Sequence, residues 1–85
     1  MATAGTDDHG SLAVTVGKVI AEERRKQGLS QEALAHRSGL HRNHIGLVER
    51  GQKGLSVKAL FAICSTIGLR PSEILRLVEE SQTKL

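Results

Sequence analysis

The sequence predicts an all-α domain of five short helices. Three observations carry that expectation. Apolar residues recur at spacings of three and four in each segment, a glycine follows four of the segments, and no stretch alternates polar and apolar residues for long enough to build a strand.

Residues 1–11, MATAGTDDHGS, are small, polar and aperiodic, and they read as a mobile N-terminal tail that includes His9. The folded domain is expected over 12–85. From Leu12 to Gln27 the apolar positions Leu12, Val16, Val19 and Ile20 make a first helix. Its last turns are basic (Arg24, Arg25, Lys26) and it stops at Gly28. Ser30 then offers an N-cap to a short helix, Gln31 to Ser38, whose Ala33, Leu34 and Ala35 precede Gly39. The run HRNHIGLVERG, residues 41–51, gives a third helix closed by Gly51. A fourth begins after Ser56, carries Leu60, Phe61, Ile63, Cys64 and Ile67, and ends before Gly68; as the most apolar of the five it is expected to be the central core helix. Pro71 suits the first position of a fifth helix, where a missing N–H costs nothing. Ile74, Leu75, Leu77 and Val78 give that helix more apolar surface than one face needs, so Ile67, Leu69, Ile74, Leu77 and Val78 are the expected dimer interface.

At 85 residues the chain holds one small core, for which dimerisation is a natural support. Hydrophobic residues make up 39% and there is one aromatic, so the core is aliphatic and no aromatic platform for single-stranded nucleic acid exists. The single cysteine, Cys64, falls within an apolar helical pattern and reads as a buried thiol rather than a nucleophile. No intramolecular disulfide is possible, no apolar run approaches the roughly 18 residues of a membrane span, and acids precede any basic N-terminal region. A cytoplasmic protein with no membrane partner is expected.

The net charge of +3 is unevenly placed. Between His36 and Lys53, Arg37, Arg42, Arg50 and Lys53 face only Glu49, with His36, His41 and His44 alongside, which points to a polyanionic partner. The third helix is unusual within this stretch. Only Ile45 and Val48 form a core stripe; opposite them, at about 100° per residue, stand Asn43, Gly46, Leu47 and Arg50, with Arg42 and His44 on the flanks. Two short helices about a tight glycine turn, the second with a polar outer face, are the plan of a helix-turn-helix. Arg42 suits the O6 and N7 of guanine, Asn43 the N6 and N7 of adenine, and Leu47 a thymine methyl. Gly46, disfavoured inside a helix, suits a close backbone approach.

The run LSQEALAHRSGLHRNHIGLVERGQKGLSVKALFAICSTIGLRPSEIL, residues 29–75, resembles the helix-turn-helix domain of the Cro and phage-repressor type, the XRE family. The elements SQEALA, SGL, VERGQK and the following Leu-Ser look most like the controller proteins of restriction-modification systems. The resemblance implies a lambda-repressor-like fold, base reading by Arg42, Asn43, His44 and Leu47, and DNA phosphate binding by Gln31, Arg50, Gln52, Lys53 and Ser56, with Gln31 also bracing the recognition helix. It further implies a structural ion pair between Arg24 and Glu49. Two positions depart from the family pattern. His41 stands where Ser, Thr or Asp is usual, so the recognition helix is expected to lack its N-cap. Glu23 replaces a commonly apolar residue and is expected to pair with a nearby Arg or Lys.

Catalytic and metal readings are weak. His41 and His44 lack third and fourth ligands for zinc, so no metal or cofactor is expected. The adjacent acids Glu22 and Glu23, and Glu79 and Glu80, point to different sides of a helix and read as solvated residues. No nucleophile elbow or phosphate-cradling loop occurs, and an enzyme is not expected. The expectation is a homodimeric, sequence-specific transcription regulator that places residues 41–50 in the major groove of double-stranded DNA. It would read a palindromic operator with half-sites about 34 Å apart. The resemblance favours an autoregulating controller protein and admits RNA polymerase as a further partner. The alternatives are an antitoxin of a toxin-antitoxin pair and a protein-interaction adaptor that reads no DNA.

Overall fold

The computed structural model describes residues 4–83, with side chains from Leu12 onward. Five helices follow one another: α1 (Ala4–Lys26), α2 (Gln31–Ser38), α3 (Arg42–Glu49), α4 (Val57–Ile67) and α5 (Pro71–Thr83), with no strand among the described residues. The all-α expectation and four of the five helix starts agree with this. The first helix starts earlier, at Ala4 rather than Leu12, so residues 4–11 of the expected tail continue α1, while 1–3 lie outside the described residues. Extending a formed helix fixes one residue per hydrogen bond, and no proline interrupts these positions.

Glycines with positive φ close α1 to α4: Gly28, Gly39, Gly51 and Gly68. At Gly39 the left-handed backbone lets Leu40 N–H reach back to the Ala35 carbonyl at 2.9 Å and Gly39 N–H to the His36 carbonyl at 3.4 Å, which satisfies the last carbonyls of α2. The residue after the glycine is a leucine in three of the four turns (Leu29, Leu40, Leu69), and each packs on the core, so every such turn both ends a helix and anchors the next segment. Ser30 and Ser56 cap α2 and α4 through the Ala33 and Ala59 N–H groups, each at 3.0 Å. At the start of α5, Glu73 Oε1 accepts the Arg70 N–H at 2.7 Å, and Pro71 follows as expected.

The core is aliphatic: Val19 and Ile20 of α1, Leu34 and Ala35 of α2, Ile45 of α3, Ile63, Cys64 and Ile67 of α4, Ile74 and Val78 of α5. Phe61 is not part of it. The only aromatic residue lies 57% exposed, one turn from Val57 at 71%, because the buried stripe of α4 runs through Ala59, Ile63, Cys64 and Ile67 instead.

A close crossing of α1 and α3 fixes the position of α3. Gly17 has no Cβ, and one added there would press into the Val48 carbonyl oxygen and lie 2.7 Å from the Glu49 carbonyl oxygen. Just beyond, Gly51 combines φ +74° with contact against Val14, whose Cα would be 2.8 Å from an added Cβ. Both helices can approach to backbone contact only because these two positions lack side chains.

Candidate nucleic-acid interface

Helix α3 is held from behind by a polar brace. Arg24 donates to Glu49 from Nε at 2.7 Å and from Nη2 at 2.9 Å, and its Nη1 reaches the Leu29 carbonyl at 2.8 Å. Gln31, the first residue of α2, adds its Nε2 to Glu49 Oε1 at 2.8 Å. One carboxylate thus ties α3 to both α1 and α2. The Arg24 and Glu49 side chains are 9% and 5% exposed, a degree of burial that a charge tolerates only when paired. Burial alone pushes the Glu49 carboxyl up. Hydrogen bonds from Arg24 and Gln31, with the positive charges of Arg24 and Arg25, outweigh it and hold the group below its ordinary 4.5. The Arg24 guanidinium is correspondingly raised, first by its hydrogen bond to Glu49, against its own desolvation. Glu23 is also buried and is met by Lys26 Nζ at 3.0 Å, on the helix side where the sequence leads one to expect an apolar residue.

With Ile45 and Val48 facing the core, Arg42 and Asn43 stand exposed in the first turn of α3, and Leu47 is half-buried on the outer side. His41 precedes them in extended conformation with no side-chain cap. His44 is half-buried, and its Nε2 is enclosed without a hydrogen-bond partner. One turn before Val48, it lies at the margin of the buried stripe. Gly46 is buried, and the group that covers it is the Arg50 guanidinium, whose Nη1 lies 3.2 Å from the position of an added Cβ.

The phosphate candidates spread along the α2 start and the segment from α3 into α4. Arg50, Gln52, Lys53 and Ser56 are exposed, and Arg50 Nε donates to Gln52 Oε1 at 3.3 Å. The Ser56 oxygen accepts the Ala59 N–H, which leaves its hydroxyl hydrogen to donate elsewhere. Gln31 spends one amide hydrogen on Glu49 and keeps another.

The expected dimer interface requires correction. Ile67, Ile74 and Val78 are 2%, 0% and 3% exposed within the single chain, while Leu69 and Leu77 are half-buried against the same core. Ile74, Leu77 and Val78 recur at three and four, so the apolar stripe of α5 is spent on its own fold. The free apolar surface lies elsewhere, at Val57, Phe61 and Leu75, with Leu12 and Val14 on α1. Gly17 was not among the expected functional positions, although a glycine inside a helical run is itself a sign of close backbone approach.

No helix among the described residues is long and apolar enough to cross a membrane. The model of the helix-turn-helix family matches residues 20–74. The control protein C.BamHI of Bacillus amyloliquefaciens is 36% identical over 66 residues, which span 76% of this chain and 82% of the relative. The restriction-modification controller protein C.AhdI from Aeromonas hydrophila superposes with a TM-score of 0.71 at 39% identity, covering 73% of this chain and 94% of that one. The wild-type restriction-modification controller protein C.Esp1396I superposes with a TM-score of 0.78 at 29% identity, covering 86% and 96%.

Proposed function

The chain belongs to the helix-turn-helix family of transcription regulators, related to restriction-modification controller proteins, and from that premise we propose that it acts as a homodimer reading an inverted-repeat operator. The observation that carries the reading is the pairing of exposed Arg42 and Asn43 at the start of a helix whose opposite side is locked to α1 and α2 through Glu49. Base readout needs donors and acceptors held to well under an ångström on a rigid element, and the brace supplies that rigidity. Arg42 and Asn43 read base edges, and Leu47 packs on a thymine methyl. Arg50, Gln52, Lys53, Ser56 and the second amide hydrogen of Gln31 contact phosphates, which set register and give salt-dependent affinity.

A single α3 covers few base pairs, so twofold pairing supplies the remaining specificity, with half-sites about 34 Å apart. The pairing surface is assigned to Val57 and Phe61, adjacent on α4 and exposed in the single chain. Regulation follows protein concentration through dimerisation, as suits an autoregulating controller of a restriction-modification system. Selection from random duplex DNA, with the enriched sites sequenced, tests this. An enriched inverted repeat supports the reading; weak, salt-sensitive binding without enrichment refutes it.

A further inference from the structure

Gly46 lies one turn ahead of Arg50, and the space its missing Cβ leaves is occupied: Nη1 of Arg50 is 3.2 Å from the added atom's position, and Cζ and Nη2 are each 3.9 Å away. The Arg50 side chain therefore runs back along α3 toward its N-terminus, the direction helical side chains favour, over bare backbone. Its Nε is engaged by Gln52 Oε1 at 3.3 Å, and among the described residues Nη1 and Nη2 have no protein acceptor. We propose that Gly46 is a seat and Gln52 a tether, two positioning residues that hold the Arg50 guanidinium over the outer face of α3 for a two-pronged contact with a DNA phosphate.

The inference rests on the DNA-binding reading above and deepens it. Arg50 follows Asn43 by seven residues and shares its stripe, about 10 Å further along the helix axis. Folding back over Gly46 carries its charge roughly one turn, about 5 Å, toward the base-reading end. With Nε held by Gln52, Nη1 and Nη2 keep their donors without a protein acceptor among the described residues, and two such donors match two phosphate oxygens. An arginine free in solution loses its rotamer freedom when it binds; a seated one has lost part of it beforehand. This also accounts for a glycine where helix propensity disfavours one.

The test is a double-mutant cycle on the selected operator, with dissociation constants measured at several salt concentrations and folding checked by circular dichroism. Gly46→Leu, which fills the seat with a good helix former, is expected to weaken binding about tenfold and to lower the salt slope by about one, as Arg50→Ala does alone. Combined, the two substitutions are expected to cost about tenfold, not a hundredfold, with no change in base preference. If Gly46→Leu does not fold, Gln52→Leu takes its place in the cycle with the same non-additivity expected. Losses that multiply, or a Gly46→Leu loss that alters base preference with the salt slope intact, overturn the inference while leaving the DNA-binding reading standing. A wild-type protein that prefers no duplex overturns both.

Discussion

Glu49→Ala removes the one acceptor shared by Arg24 Nε, Arg24 Nη2 and Gln31 Nε2, at 2.7, 2.9 and 2.8 Å. What remains is a guanidinium whose side chain is 9% exposed, with the Leu29 carbonyl as its last partner. Water in the vacated space can accept from these donors but brings no negative charge to offset the guanidinium. Breaking a buried pair from one side costs about 3 to 5 kcal/mol. A domain of this length holds about 4 to 13 kcal/mol in all, so the variant loses a large part of its stability. Replacing both members, as Arg24→Met with Glu49→Leu, leaves no stranded charge and is expected to recover most of the loss. Urea unfolding of the two single variants and the double reads this directly. A single-variant loss within about 1 kcal/mol, the range of exposed pairs, refutes the claim that the brace is desolvated. The pH dependence has a definite sign. The Glu49 carboxyl lies below its ordinary 4.5 in the folded chain, so its contribution is present above that value and is lost as the pH falls from about 4.5 through the folded value. Glu49→Ala lacks this part of the acid sensitivity.

Three further outcomes are expected. Gly17→Ala forces a Cβ against the Val48 and Glu49 carbonyls and should cost about 1 to 3 kcal/mol, overriding alanine's helix preference; a thermal melt at or above the wild-type value contradicts the close crossing. Cys64, fully buried and with its thiol pushed up first by burial and then by the Glu73 charge, should resist alkylation in the native protein and react on denaturation; rapid native modification contradicts that burial. Phe61→Glu should yield a folded monomer by sedimentation, and an undiminished dimer moves the pairing surface away from α4.

The helix ends were legible because glycine in the left-handed region and serine at an N-cap are local events, settled by residues a few positions apart. The sidedness of α4 and α5 was legible only in part. A period of three and four defines a stripe without naming what covers it, so Ile67, Ile74 and Val78 passed for surplus surface while Phe61 passed for core. Arg24 and Glu49 are 25 residues apart, and no local spacing could join them; the family resemblance did. Gly46 was correctly marked as a place of close approach, but which group approaches depends on the course of the Arg50 side chain, which spacing does not encode. The enclosure of His44 Nε2 has the same origin, a position at the margin of a stripe that small rotations of α3 turn inward or outward.

The central claim is that the outer face of α3 reads bases while the segment after it grips the backbone. Titration of the wild type, Asn43→Ala and Lys53→Ala against the selected operator and its single-base-pair variants, at two salt concentrations, tests it most directly. Asn43→Ala should cost about 1 to 3 kcal/mol and lose discrimination at one base pair, whereas Lys53→Ala should weaken every duplex alike and lower the salt slope by about one. An Asn43→Ala protein that keeps the full wild-type preference contradicts the account.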